Sequence, residues 1–268
     1  MLNLIISDIY LNISKYLIIY FMTEESRNVV MTKISRRRLQ KDIVEIIKHP
    51  LTEHGIYYAH DEQNMLKGYA IIFGPSDTIY RYGAYCFQFK FPTNYPFSPP
   101  KLIYLTNDEQ TRFHPNLYRN GKVCISVLNT WKGEQWTSCQ TIKSILLMLV
   151  TLFHNKPLLN EPGIKETHSS FIPYNKIITY KNLQIAVLRS LIKEKRHYMG
   201  PCRVFATIYE NYIKENKEDI INYVKKLKIK QSLLSDSKKE LRVNVYNMKC
   251  YLDYKTLETD LKKQLEKI

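Results

Sequence analysis

The residues with the clearest chemical potential lie in one short stretch, residues 114–124, which combines a His-Pro-Asn turn with a cysteine. Cys124 is a candidate nucleophile, because a cysteine thiol attacks carbonyl carbons at neutral pH without an adjacent base. An acyl group carried on this sulfur would pass through a tetrahedral oxyanion, which needs a hydrogen-bond donor. The carboxamide of Asn116 is the candidate donor. The stretch therefore predicts acyl transfer through a thioester.

Two turn signals predict that this stretch reverses direction twice and brings the carboxamide close to the thiol. Pro115 fixes its own φ and favours extended backbone at His114. Asn120 and Gly121 tolerate positive φ and form a typical turn pair. We therefore expect the sulfur to lie in a shallow groove that solvent can reach, with the carboxamide held beside it.

Further motifs accompany this stretch in a fixed order. They are Gly74-Pro75 followed by Thr78, Tyr80 and Gly83; the segment Asn94-Tyr95-Pro96-Phe97-Ser98-Pro99-Pro100-Lys101; and Trp131 and Trp136 after the cysteine. Together these motifs resemble the core of ubiquitin-conjugating enzymes. Segments 118–124, 130–133 and 160–163 are most similar to the Z-type subfamily. The resemblance covers roughly residues 33–165 well and the rest more loosely.

The resemblance implies a reaction and the residues that perform it. Ubiquitin or a ubiquitin-like modifier would arrive as a thioester on an activating enzyme and move to Cys124. It would then pass to a lysine of a substrate or to a ligase. Asn116 would stabilise the oxyanion, although it could merely satisfy backbone groups of the turn. His114 is interpreted as structural, holding the turn by hydrogen bonds.

Asn160 and Glu161 occupy the loop where members of this family place a polar or acidic side chain near the active site. A lysine with a pKa of about 10.4 must lose a proton before it attacks, and a carboxylate can accept that proton or hold the amine in place. The alternative is that this segment is only a loop that connects helices and contains Pro162 and Gly163. The candidate catalytic residues are Cys124, Asn116, His114, Asn160 and Glu161.

The resemblance also implies partners. The basic face of the first helix would dock the activating enzyme, although a solvated face is the alternative. Phe97 and the loop from Trp136 to Ser138 match the surfaces that engage ubiquitin ligases. Thr137-Ser138-Cys139 replaces the usual Ser-Pro-Ala after the tryptophan, which leaves ligase docking or partner choice open. Tyr82 replaces an expected glycine of the hairpin.

No cofactor is implied, and ATP would be used only by the activating enzyme. The seven histidines are scattered and no Cys-x-x-Cys occurs, so we predict no metal site. Five widely spaced cysteines form an odd set, which argues for a reducing compartment and against a disulfide framework. We expect a cytoplasmic location, with the nucleus as a further compartment.

Two other functions compete with the enzymatic one, and the first of them is suggested by the charge. A formal net charge of +15 favours acidic partners such as nucleic acid, anionic membranes or acidic proteins. Lys and Tyr are spread through the chain, so solvated surface charge is the simpler interpretation and we expect no nucleic-acid binding. The other rival is a binding module with the same fold that no longer loads ubiquitin. The presence of both Cys124 and Asn116 argues against it.

Hydrophobic periodicity predicts an α+β fold with a four-stranded antiparallel sheet, and the resemblance implies that it is the ubiquitin-conjugating-enzyme core. An amphipathic helix over 33–48 precedes an antiparallel sheet with one face covered by helices. The predicted strands are 55–61, 66–73, 84–91 and 101–106. Residues 140–154 hold the most apolar run of the chain, which is too short to span a membrane and indicates a buried central helix.

We divide the chain into an N-terminal extension (1–32), a catalytic core (33–165) and a helical C-terminal extension (166–268). Helices are predicted over 176–195, 203–227 and 253–267. Residues 1–21 are apolar but are interrupted by Asp8, Asn12 and Lys15. They indicate a helix packed on the core, or a start site at Met22 or Met31, and we expect no membrane attachment.

Overall fold

The computed structural model describes residues 31–192, 200–233 and 240–268. The helix predicted within residues 1–21 lies outside these ranges. Helix α1, Lys33–Lys48, is confirmed, and the side chain of Thr32 caps its first turn by accepting the N–H of Ser35 at 3.1 Å. Its buried stripe consists of Leu39, Ile43, Ile46 and Ile47. This stripe has the spacing that buries one face of a helix on a core.

The four-stranded antiparallel sheet is also confirmed. Its strands are β1 (Ile56–His60), β2 (Lys67–Phe73), β3 (Ala84–Lys90) and β4 (Lys101–Tyr104). They pair in sequence order, as expected for strands joined by short connections. The central helix α2, Ile142–Val150, is shorter than predicted, and it begins at a capping box formed by Thr141 and Ser144.

The chain beyond the central helix is mainly helical. Helix α3 is Phe171–Lys181, continued by a π-helical stretch (Asn182–Leu188) and a short turn (Arg189–Leu191); helix α4 is Ala206–Leu233; helix α5 is Tyr254–Leu265. Between α4 and α5 lies a hairpin that the periodicity did not predict. Its strands are β5 (Leu241–Val243) and β6 (Met248–Cys250), joined by a turn in which Asn247 has φ +48°.

Both faces of the central sheet are covered, so the prediction of a single covered face was wrong. On one face, the ring of Tyr85 stacks on Phe153 with centroids 4.3 Å apart. On the other face, Phe73 stacks on Tyr212 of helix α4 at 4.0 Å. Residues 68–73 of β2 are all buried. A strand without polar alternation needs burial on both sides, and the C-terminal helices provide the second layer.

Tyr82 illustrates how closely these C-terminal helices fit the hairpin before β3. Its φ of +66° lies in the left-handed region, which explains why a glycine was expected there. Its buried ring meets Tyr223 of α4 edge-on at 5.9 Å. The guanidinium of Arg81 lies 4.6 Å from the Tyr82 ring and 4.7 Å from the Tyr223 ring. This packing offsets the backbone strain of about 1–3 kcal/mol.

Helices α4 and α5 are joined by a buried carboxylate. Glu258 accepts from Lys262 at 2.6 Å and from Lys228 of α4. The side chains of Lys228 and Lys262 stay partly exposed while they pair with this carboxylate. The leucines at 257, 261 and 265 are buried, as their spacing predicts. No helix in the described ranges is both long and apolar enough to cross a membrane.

A buried histidine in β1 makes the stability of the fold depend on pH. The Nδ1 atom of His60 lies 2.7 Å from the Tyr58 hydroxyl, and its Nε2 lies 2.9 Å from the Met65 carbonyl. A carbonyl only accepts, so Nε2 carries the proton of the neutral ring. Burial lowers the pKa of His60 to about 4, although the Met65 carbonyl and Asp61 act in the opposite direction.

We expect the free energy of unfolding to fall as pH drops from about 6.5 to about 4. In this interval the unfolded chain binds a proton that the folded His60 does not bind, which amounts to about 3 kcal/mol in total. Above this interval the stabilisation is complete. Urea unfolding across this range would measure the loss, and His60→Gln should make the profile flatter. Equal pH dependence in both proteins would contradict the assignment.

Candidate active site

The stretch that carries the chemistry reverses twice, as predicted. In the first turn the N–H of Leu117 donates to the His114 carbonyl at 2.9 Å. In the second turn Gly121 has φ +82°, and the N–H of Tyr118 donates to the Lys122 carbonyl at 2.9 Å. Positive φ at Gly121 is the conformation for which glycine is favoured. The two reversals place residue 124 back beside residue 116.

Asn116 and Cys124 are held together by two hydrogen bonds. The N–H of Cys124 donates to the Asn116 carbonyl at 2.9 Å, and the side-chain Nδ2 of Asn116 donates to the Cys124 carbonyl at 2.5 Å. The carboxamide thus contacts the backbone of Cys124, and its proximity to the thiol stays a prediction. An amide nitrogen carries two protons, so one proton of Nδ2 remains for another acceptor at this site.

His114 has the surroundings of a structural residue. It is fully buried, and its Nδ1 accepts the backbone N–H of Asn116 at 3.0 Å. Burial lowers the pKa of His114 well below its usual value, and His154 and Arg112 act in the same direction. A neutral ring that already accepts a backbone N–H is well placed to fix the turn. The structural role of His114 stays a prediction, which this hydrogen bond supports.

The turn is anchored from behind by Tyr80 of the hairpin motif and by Arg112 and Tyr174, which the sequence did not single out. The hydroxyl of Tyr80 donates to the Phe113 carbonyl at 2.7 Å, and that of Tyr174 in α3 donates to the Arg112 carbonyl at 2.8 Å. The Nη2 atom of Arg112 donates to the Pro115 carbonyl at 2.6 Å. Buried carbonyls of a loop require such partners, so these contacts fix the backbone beneath Cys124.

The thiol is covered, which corrects the expectation of a solvent-reachable sulfur. Cys124 is 3% exposed, and its Sγ donates to the carbonyl of Thr130. The hydroxyl of Thr130 in turn accepts the N–H of Ile125 at 3.0 Å and donates to the Ile125 carbonyl at 3.0 Å. Residues 129–135, which we call the covering loop, contribute this carbonyl. Its outer side chains are mostly exposed.

We expect alkylating reagents to modify Cys124 slowly despite its proposed reactivity. Cys139 is exposed, whereas Cys124 reacts only when the covering loop opens, so its rate should be at least about tenfold lower. Peptide mass spectrometry after timed iodoacetamide treatment would measure both rates. In urea the two thiols should react alike. Equal rates in the folded protein would contradict the covered state.

Asn160 and Glu161 lie at the end of a short 3₁₀ helix, Pro157–Asn160. The Asn160 Oδ1 is 3.1 Å from Nε2 of His154, whose ring centroid lies 6.1 Å from that of His114. The Glu161 Oε2 accepts a hydrogen bond from the hydroxyl of Tyr246 at 2.5 Å. A chain of contacts therefore links these two residues to the turn that carries Cys124. Their catalytic role stays a prediction.

Tyr246 is a further residue near the site that sequence reasoning missed. It lies in the turn of the β5–β6 hairpin, and its carbonyl accepts from Arg119. The only sequence signal was the alternation of Leu241, Val243 and Val245 before the turn residue Asn247. This pattern is too short to predict a hairpin by itself, and it does not indicate the surface on which the hairpin packs.

The loops assigned to ligase contact lie side by side. Phe97 is 67% exposed, and Trp136 is buried with its Nε1 donating to the Pro96 carbonyl at 2.6 Å. Arg38 is less available to an activating enzyme than expected, because its guanidinium donates to Asp42 at 3.0 Å and to the Gln140 carbonyl at 2.6 Å. The exposed cations of α1 include Arg37 and Lys41.

In the described ranges no group of three or more His, Cys, Asp or Glu side chains is arranged to hold a metal ion. The site contains the sulfur of Cys124, the carboxamide of Asn116 and the hydrogen-bonded backbone beneath them. This arrangement can hold an acyl group on sulfur and stabilise an oxyanion, once the covering loop has moved.

Comparison with known proteins bears on the same residues. The family model described as ubiquitin-conjugating enzyme matches residues 38–176, just over half of the chain. Ubiquitin-conjugating enzyme E2 Z of Xenopus tropicalis is 40% identical over 157 residues, covering 58% of this chain and 50% of that protein. The human protein of the same name is 40% identical over 153 residues, covering 56% of this chain and 43% of its own length.

This chain thus spans half of the length of these curated relatives, or less. The solved structure of human ubiquitin-conjugating enzyme E2 G1 is 28% identical, with a TM-score of 0.40, and covers 47% of this chain and 98% of that chain. The matched residues 38–176 include the sheet, the His-Pro-Asn turn and Cys124. The chain belongs to the ubiquitin-conjugating enzyme family.

Proposed function

We propose that this protein accepts ubiquitin or a ubiquitin-like modifier as a thioester on Cys124 and transfers it to a lysine or to a ligase. The observation that carries the proposal is the pair of hydrogen bonds between Asn116 and Cys124, at 2.9 and 2.5 Å. They fix a carboxamide donor beside the residue that would hold the acyl group. Membership of the family supports the same chemistry.

Loading would exchange one thioester for another. The thiolate of Cys124 attacks the carbonyl carbon of the modifier held on an activating enzyme, the new C–S bond forms, and the old sulfur leaves as a thiolate. No local base is needed for this step. The covering loop must first withdraw the Thr130 carbonyl, because a sulfur that is 3% exposed offers no approach to a second protein.

Transfer to lysine would be an aminolysis. The ammonium gives one proton to a carboxylate, for which Glu161 is the candidate, and the neutral nitrogen bonds to the carbonyl carbon. The oxyanion that forms accepts the remaining proton of Asn116 Nδ2 as a hydrogen bond. The C–S bond then breaks, and a second proton from nitrogen passes to the departing thiolate.

The partners proposed on this basis are an activating enzyme, ubiquitin ligases and protein substrates. ATP would be consumed by the activating enzyme, and this chain would need no cofactor. The exposed Phe97 beside Trp136 supports ligase contact, and the exposed Arg37 and Lys41 on α1 support contact with the activating enzyme. We also propose a cytoplasmic or nuclear setting, which the five free cysteines support.

The test is a loading reaction with the full chain, activating enzyme, ATP and ubiquitin, analysed on a non-reducing gel. We expect an adduct that disappears on addition of reductant. The second candidate function is a scaffold that binds partners without loading, and the covered thiol favours it. Absence of any adduct with ubiquitin and with ubiquitin-like modifiers would reject the enzyme and leave the scaffold.

A further inference from the structure

The β5–β6 hairpin of the C-terminal extension reaches the loop that holds the candidate acid–base residue. The hydroxyl of Tyr246 donates to Glu161 Oε2 at 2.5 Å. These residues are 85 positions apart in the chain, so the contact depends on how the extension packs. A hydrogen bond to a carboxylate is a charge-assisted contact and is stronger than one between neutral groups.

Tyr246 is itself held firmly. Its ring lies 5.1 Å from the guanidinium carbon of Arg112 and 5.9 Å from the ring of Tyr174, and its carbonyl accepts from Arg119. The backbone N–H of Arg112 also donates to the sulfur of Met248 in β6 at 3.2 Å. The hairpin thus contacts the same arginine that binds the Pro115 carbonyl beneath the active-site turn.

We propose that Tyr246 is a positioning residue for transfer to lysine. It acts through Glu161: its hydroxyl holds one carboxylate oxygen, so that the other oxygen faces an incoming ammonium in a fixed orientation. A carboxylate offers lone pairs on both oxygens, so the two partners are compatible. The inference rests on the proposed function and extends it, because it gives the C-terminal extension a part in aminolysis.

The surroundings of Tyr246 keep its hydroxyl a donor. Burial raises the pKa of Tyr246 well above its usual value, as does its hydrogen bond to Glu161, while Arg112 acts in the opposite direction. The titratable and charged groups that face it are Glu161, Arg112, Arg119, Tyr80, Tyr118 and Tyr174. A hydroxyl that stays protonated across the working pH range donates to the carboxylate throughout.

The experiment compares the full-length protein with Tyr246→Phe, which removes one hydroxyl and keeps the ring on Arg112. Thioester loading should be unchanged. Single-turnover discharge to free lysine should slow roughly tenfold. This is less than the roughly hundredfold slowing expected for Glu161→Gln, because the carboxylate is still present. Discharge to hydroxylamine should be unchanged, because that amine is largely unprotonated at neutral pH and needs no proton removed before attack.

Two further measurements separate positioning from a structural role. The lysine-specific deficit of Tyr246→Phe should narrow as pH rises toward about 10, where lysine loses its proton unaided. The double variant with Glu161→Gln should discharge no more slowly than Glu161→Gln alone, since both changes remove one function. Tyr209→Phe is the matched control, because it removes a buried hydroxyl that donates to the Val187 carbonyl in the extension.

Several results would contradict a positioning role for Tyr246. Equal slowing with lysine and hydroxylamine, a deficit that does not change with pH, or additive losses in the double variant would overturn the inference. So would wild-type discharge by Tyr246→Phe, or slowing of the same size in Tyr209→Phe. A wild-type protein that never loads would reject the proposed function instead, and that result is seen before any discharge is measured.

Discussion

Cys124→Ala should lose the reductant-sensitive ubiquitin adduct completely, and Cys124→Ser should form in its place an ester that resists reductant. Alanine offers no atom to hold the acyl group. A serine hydroxyl attacks thioesters far more slowly than a thiolate, but the ester that it forms is not reversed by added thiols. The measurement is a non-reducing gel run in parallel with a reducing one after incubation with activating enzyme, ATP and ubiquitin.

Cys139→Ala is the matched control for these variants. Cys139 is the exposed thiol nearest in sequence to the site, and its removal should leave the adduct unchanged. Cys124→Ser should also preserve the contact with Thr130, since a hydroxyl can donate to the same carbonyl. A thioester that still forms in Cys124→Ala, or that is lost in Cys139→Ala, would show that a sulfur other than Cys124 accepts the modifier.

Local signals in the sequence predicted most of the catalytic turn. Proline and glycine act on their own backbone, so Pro115 and Gly121 determine the two reversals without help from distant residues. The same holds for α1, whose apolar stripe belongs to one short segment. The two reversals bring Asn116 beside Cys124, and hydrogen bonds join the carboxamide and the carbonyl of Asn116 to the Cys124 backbone.

What the sequence did not predict depends on contacts between distant segments. The stacking of Phe73 on Tyr212 buries the second face of the sheet, and the local sequence around either residue does not predict this contact. The contact of Tyr246 with Glu161 is of the same kind. The covering loop lacks both hydrophobic periodicity and regular structure, so nothing in its residues predicts that the Thr130 carbonyl contacts the sulfur.

The covered thiol also changes how loading kinetics should be interpreted. If the loop opens rarely, the observed loading rate equals the intrinsic rate multiplied by the fraction of molecules in which the sulfur is accessible. A slow enzyme could then have normal chemistry and an unfavourable opening equilibrium. The alkylation rates of Cys124 and Cys139 measure that equilibrium independently of any partner. The two experiments together therefore separate access to the sulfur from its reactivity.

Asn116→Ala should load nearly normally and discharge to free lysine about 100- to 1,000-fold more slowly. One proton of Nδ2 binds the Cys124 carbonyl at 2.5 Å, and the other is available to the oxyanion formed when lysine attacks. Loss of one such donor raises the barrier by about 3 kcal/mol. Single-turnover discharge of the purified thioester measures this rate without any contribution from loading.

A purely structural role for Asn116 makes a different prediction. The Oδ1 atom is buried with no hydrogen-bond partner in the described part of the chain, so alanine removes an unsatisfied acceptor together with one hydrogen bond. These two changes, each of about 1 kcal/mol, act in opposite directions. Thermal unfolding should therefore shift little while discharge falls steeply. A large loss of stability with unchanged discharge would show that the carboxamide only holds the turn.

Asn116→Asp keeps the shape but lacks the N–H donor, so it should discharge as slowly as Asn116→Ala.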